Sequence, residues 1–164
     1  AFRKVCEVYG PARLVMFGAG HNSGGPAEAW AHEQGIAEGI EFAGPVAYET
    51  LQKRIGDECD IFVHPALEEA HPMAIIEALA KAVPVIAGEN SGGVPWTLDF
   101  GKAGMLVDVR SSEILAAAML ELVHNSGLRN RLSEAGYARA RERFSIEAVA
   151  DAYELKYKEI LNEP

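Results

Sequence analysis

The sequence predicts one α/β domain in which a parallel sheet lies between helices on both faces and a helical tail closes the chain. Three observations lead there. From Arg13 to Val109, short apolar runs alternate with helical stretches. Those runs are continuously apolar, as strands buried on both faces of a parallel sheet are. After Val109 the strand pattern stops and only helical spacing remains. At 164 residues, 49% hydrophobic and 24% charged, the chain has the size and composition of a single ordinary domain spanning 1–164.

Taken in order, Phe2 to Tyr9 reads as the back half of a helix that Gly10 and Pro11 end. So abrupt a first element suggests a larger protein cut upstream. LVMF (Leu14 to Phe17) is a buried strand closed by Gly18-Ala19-Gly20, and Pro26 to Gln34 is a short helix. Ile40 to Ala43 is the next strand, followed by Gly44-Pro45, and Tyr48 to Ile55 is helical by spacing. Asp60 to His64 is a strand, Pro72 to Ala82 a helix, Pro84 to Ala87 a strand and Met105 to Val107 another. Ser111 to His124, Leu128 to Arg143 and Ser145 to Leu161 form the tail helices, with Ser111 and Ser145 as N-caps. Parallel strands need right-handed crossovers, so the arrangement is Rossmann-like. Such sheets bind ligands outside the carboxyl ends of their strands. The residues to watch are therefore Gly18 to Gly25, Gly44 to Val46, Pro65 to Met73 and Gly88 to Trp96.

Composition narrows the function classes. Lys and Arg total 15 against 24 Asp and Glu, a formal charge of -9, which repels phosphodiester backbones and argues against nucleic acid as partner. A small anionic ligand is still allowed, since one pocket can be positive on a negative body. The most apolar stretch, Met73 to Ala87, is interrupted by Glu77, Lys81 and Pro84 and is too short for a bilayer. Two cysteines, Cys6 and Cys59, make neither a disulfide framework nor a four-ligand zinc site. No signal peptide opens the sequence, and the expected setting is the cytosol.

The densest information lies in LEEAHPMAIIEALAKAVPVIAG, Leu67 to Gly88. Pro72 suits the first position of a helix, where its missing N–H costs nothing. The following residues are almost wholly apolar apart from Glu77 and Lys81, which share a face. Glu69 precedes the helix, and Glu77 lies roughly 7 Å along it from Pro72. Free amides of the first turn and the positive end of the dipole make a seat for phosphate. A carboxylate on each side accepts from sugar hydroxyls, two hydroxylated rings flanking one diphosphate. On spacing alone an ordinary ion pair between Glu77 and Lys81, with Glu69 a solvated loop residue, explains the pattern equally well.

The run from Glu69 to Ala80 resembles the Glu–x7–Glu motif of retaining glycosyltransferases with the two-domain GT-B fold, especially glycosyltransferase family four. LVMFGAG, IEFAGPV, DIFVHPALEE, PVIAGENSGGVP, KAGMLVDV and ERFSIEAVADAYELKY resemble that family's successive segments in the right order, so the resemblance covers nearly the whole chain. It implies a nucleotide-sugar-binding domain, one half of a GT-B fold, whose acceptor domain and first strand lie upstream. The sugar passes to an acceptor hydroxyl with retention, without metal or other cofactor, and the full-length protein works in the cytoplasm at the inner face of the membrane. Carried over by position, Glu69 contacts the donor sugar as the catalytic carboxylate and Glu77 holds the ribose. The backbone of Ala70, His71, Pro72 and Met73 faces sugar and diphosphate, Val46 lies near the base, and Gly18 and Gly20 shape the neighbouring loop. Gly92 and Gly93 read as a backbone turn at the ligand edge.

Three departures stand out. The family's Arg and Lys on the diphosphate belong upstream of Ala1, so the isolated chain is expected to be inactive. Trp96 stands where the family places Glu after Gly-Gly-x-Pro. The absent first strand is central in the family's sheet, which would leave exposed sheet edges that invite self-association. Competing readings are a non-catalytic association module, a GT-B-type sugar-nucleotide epimerase, and a dinucleotide site at Gly18-Ala19-Gly20, which lacks the third glycine. The five histidines, 21, 32, 64, 71 and 124, show no metal-ligand spacing. Trp30 and Trp96 read as packing residues, and Arg129, Arg131, Arg139, Arg141 and Arg143 as solvated faces of the tail helices that could dock the acceptor domain.

Overall fold

Helices and strands alternate along residues 1–161, the part that the computed structural model describes. The order is α1 (Phe2–Tyr9), β1 (Leu14–Phe17), α2 (Pro26–Glu33), β2 (Ile40–Gly44), α3 (Tyr48–Glu58), β3 (Phe62–His64), α4 (Met73–Ala80), β4 (Val85–Gly88), α5 (Val94–Thr97) and β5 (Met105–Val107). The tail comprises α6 (Ser112–His124), α7 (Ser126–Phe144) and α8 (Ile146–Leu161). Every expected strand is present. The apolar pattern had not signalled α5 or the 3₁₀ turn Asp99–Gly101, both too short for a helical period to register.

All strand pairs are parallel, in two separate sheets rather than one. β1 pairs with β2, Leu14 opposite Ile40, and β4 sits between β3 and β5, with His64 opposite Ala87 and Ala87 opposite Leu106. Between the free edges of β1 and β3 lies a slot of about 520 Å³. It is walled by Leu14, Val15 and Phe17 on one side and Ile61, Phe62 and Val63 on the other, with α1 and α3 also lining it. Counted as one strand position, the slot completes the order β2-β1-slot-β3-β4-β5, that of a doubly wound sheet.

Edge position explains where burial departs from expectation, β1 and β3 bordering the slot and β5 closing the far side of its sheet. Only β4, flanked on both edges, is buried at every residue; β1, β3 and β5 are half-buried. Because side chains alternate across a strand, Val85 and Ala87 join one core cluster with Ile75, Leu79, Val94 and Leu98, whereas Ile86 joins another with Leu115, Leu122 and Leu132. Arg54 on α3 reaches beside the slot, lies 5.1 Å over the Phe17 ring and pairs with Glu41 at 2.8 Å and Glu58 at 3.0 Å. Hydrogen bonds from its guanidinium hold both carboxyls below the usual carboxylate range.

The tail helices are capped as their sequences suggest. Ser111 Oγ accepts from the Ile114 amide and Ser145 Oγ from Ala148, and Asn125 caps α7 by accepting from Leu128. Two of the five arginines read as solvated are clamps instead. Arg129 donates to the Leu122 and Val123 carbonyls, filling acceptors left open at the end of α6. Arg139 donates to the Trp96 carbonyl at 2.8 Å and lies over the Trp96 and Phe144 rings.

Candidate functional site

The loop from Pro65 to Pro72 leaves the carboxyl end of β3 and delivers the chain to α4. Its path is set by the turn between β4 and α5. Ser91 Oγ–H donates to the Ala66 carbonyl at 2.6 Å, and the Gly93 amide donates to the Glu69 carbonyl at 2.7 Å. The glycine pair is required here for a reason the turn reading had missed. A Cβ on Gly92, whose φ is +56°, would stand 2.5 Å from the Glu69 carbonyl oxygen, and one on Gly93 would stand 2.3 Å from that of Ala70. Gly92 and Gly93 therefore form the bed on which the Glu69–Ala70 backbone lies.

Helix α4 starts one residue later than the spacing suggests, with Pro72 as its N-cap and Met73 as its first helical residue. Its first amides are less free than expected. Met73 donates to the His71 carbonyl at 2.9 Å, and Ile75 and Ile76 donate to Pro72 at 3.0 and 3.1 Å. Among the described residues the amides of Ala70, His71 and Ala74 make no hydrogen bond. The available seat is thus Ala70, His71 and Ala74, not the Met73 amide. Pro72 is buried, whereas the Met73 side chain is exposed.

Both acids are partly accessible, and neither accepts a hydrogen bond from a described residue. The ordinary ion pair between Glu77 and Lys81 is not formed. Glu77 lies three residues beyond Ala74 on α4, so the two side chains share one face of the helix. Glu69 Oε2 lies 3.6 Å from His64 Nε2, a contact that sequence spacing had not suggested. The signal for it was present only as a histidine at the last position of a strand, since the β3–α4 loop folds back over that strand's end.

The remaining candidates lie across the slot, on the β1–β2 sheet. Gly18 and Gly20 adopt φ of +110° and +81°, as the turn leaving β1 demands. The Gly18 amide donates to Gly44, and the Gly44 amide to His21, which ties the ends of β1 and β2 together. Val46 follows this junction and is partly buried. The chain therefore gathers Glu69, His71, Gly92 and Gly93 at one place, with Glu77 further along α4. It leaves Gly18, Gly20 and Val46 on the far bank. Among the described residues no group of three or more His, Cys, Asp or Glu could hold a metal ion, and no helix is long and apolar enough to cross a membrane.

Comparison with known proteins identifies the family and the fold. The chain is 31% identical over 123 residues to the lipopolysaccharide core biosynthesis glycosyltransferase LpsE of Rhizobium meliloti, covering 75% of this chain and 35% of that protein. Its fold is similar to that of sucrose-phosphate synthase from Thermosynechococcus elongatus, with a TM-score of 0.79 and 23% identity over 99% of this chain and 41% of that one. Anabaena HepE, solved in complex with UDP, matches with a TM-score of 0.75 and 19% identity over 94% of this chain and 43% of that one. The chain thus spans about a third of the length of the curated relative and less than half of the solved ones. The fold is one half of the GT-B architecture. The family description "Glycosyl transferases group 1" matches residues 1–139, and the chain belongs to that family.

Proposed function

We propose that this chain is the donor-binding domain of a retaining glycosyltransferase that passes a hexose from a nucleotide-sugar to an acceptor hydroxyl. The observation that carries the reading is the presence, around the start of α4, of two partly accessible carboxylates that accept no hydrogen bond from a described residue, Glu69 and Glu77, and of the unpartnered amides of Ala70, His71 and Ala74. Glu69 accepts from the donor sugar, and Glu77 accepts from the ribose hydroxyls. The amides and the positive end of α4 receive the diphosphate, where negative charge grows as the sugar leaves. The nucleotide-sugar is the substrate and the reading calls for no metal or other cofactor. Val46 and the Gly18–Gly20 turn approach the base from across the slot.

In the longer protein, a parallel strand followed by α1 fills the slot, and an acceptor domain carries the second half of the cleft. The tail helices face that domain, α8 offering Ile146, Val149, Tyr153 and Ile160 as exposed apolar side chains. The likeness to a lipopolysaccharide core biosynthesis enzyme supports a glycan acceptor, which this reading places at the inner face of the membrane. By itself the 164-residue chain is expected to bind donor without turning it over. Calorimetric titration with UDP-glucose, GDP-mannose and ADP-glucose tests the reading. One of them binds saturably, and Glu77→Ala weakens it about tenfold or more, the worth of a hydrogen bond to a charged group. Unchanged affinity removes Glu77 from the site.

The open slot favours a second reading, an association module that uses the fold only to pair with another chain through its free β1 and β3 edges. Sedimentation separates the two: tight self-association, indifferent to nucleotide-sugar, supports the module.

A further inference from the structure

We infer that His64 is a positioning residue for Glu69: its Nε2–H donates to the Glu69 carboxylate and sets where that carboxylate meets the donor sugar. The inference rests on the donor-site reading for its function but on geometry alone for the contact. His64 Nε2 is buried and has no hydrogen-bond partner among the described residues. A buried imidazole nitrogen in that state is rare unless a partner arrives from elsewhere. The facing group is Glu69 Oε2 at 3.6 Å, itself without a hydrogen bond. The gap exceeds an N–H···O bond by about 0.7 Å, which a small rotation of the glutamate side chain closes.

The two ends of this contact differ in freedom. His64 closes β3, is held in the sheet opposite the buried Ala87, and its ring stacks at 12° on Phe62 with centroids 6.4 Å apart. The Glu69 backbone is pinned by the Gly93 amide at 2.7 Å. Only the Glu69 side chain is left to turn, and His64 is the polar group it turns towards. A bond to one carboxylate oxygen leaves the other directed at a ligand hydroxyl, as bonds from neighbouring groups orient ligating side chains in other sites. The tautomer is part of the claim. Nε2 must carry the proton, since a bare Nε2 lone pair against a carboxylate would repel it.

The experiment has two arms. In the first, ¹⁵N-edited imidazole NMR of the ligand-free chain reads the His64 tautomer, with Glu69→Gln as control. The Nε2–H tautomer, with an Nε2 resonance that moves in Glu69→Gln, is expected. A bare Nε2 or a resonance indifferent to Glu69→Gln overturns the inference. In the second arm, His64→Leu and His64→Gln are titrated with UDP-glucose and with UDP alone, the pair replaced by GDP-mannose and GDP if that donor binds. His64→Leu is expected to lose about tenfold for the nucleotide-sugar and less than twofold for the bare nucleotide. His64→Gln, whose side-chain amide can donate from nearly the same place, is expected to recover most of that loss. Equal losses for both ligands, or no rescue by Gln, would mean that His64 merely packs the loop. If Glu77→Ala leaves both affinities untouched, the donor-site reading fails, while the tautomer still decides whether His64 holds Glu69.

Discussion

The two sheets of this domain are built from similar strands and consolidated very differently. β4 is flanked on both edges and buried throughout, and α4, α5 and α7 contribute Ile75, Leu79, Val94 and Ala140 to the cluster beside it. β1 and β2 have one neighbour each, and β1 is half-buried at every residue. Their left-handed turns also differ. In the β1–β2 region every described residue with positive φ is glycine, whereas Ala82, Asp99 and Phe100 hold positive φ around β4 and β5. Ala82 and Phe100 are themselves exposed, so the strain sits on surface turns that the packed elements on either side hold in place. The densely packed region is also the one that holds the Glu69 loop, consistent with a site that needs fixed geometry.

Four substitutions would break or sharpen this contrast. The largest effect is expected from Leu79→Ala in the buried cluster, about 3–4 kcal/mol in urea unfolding, against about 1 kcal/mol for Leu14→Ala, which lines the slot. Equal costs would mean that the regions are equally consolidated. Gly93→Ala comes next, at about 1–3 kcal/mol, since its Cβ meets a backbone oxygen at 2.3 Å that cannot turn aside. It should also abolish nucleotide-sugar binding by lifting the Glu69 loop, which calorimetry would register. Smallest is Ala82→Gly, an exposed residue at φ +57° just past α4, expected to gain about 0.5–1 kcal/mol. A loss there would show that the turn costs nothing as it stands.

Much of this was legible beforehand, and the reasons are specific. Leu14 to Phe17 and Met105 to Val107 were bounded correctly because a continuous apolar run between turn residues is a local signal. Ser111 and Ser145 were recognisable as caps because capping reaches only three residues. The failures were matters of distance along the chain. Arg139 looked solvated because its partners, the carbonyls of Trp96 and Thr97, lie more than forty residues away. The amide of Met73 looked free because the turn back to His71 depends on the ψ of Pro72, which the proline ring does not fix as it fixes φ.

Composition, apolar periodicity and linked motifs by themselves determined the α/β class, the order of the elements, the family and the segments that could touch a ligand, because each depends on neighbours within a few residues or on a pattern shared along the whole chain. Only the tertiary structure decided that the sheet divides at β1 and β3, that Gly92 and Gly93 carry the Glu69 loop, and that His64 faces its carboxylate. Those facts arise where segments remote in sequence come within van der Waals reach, and local residue patterns do not specify such distances.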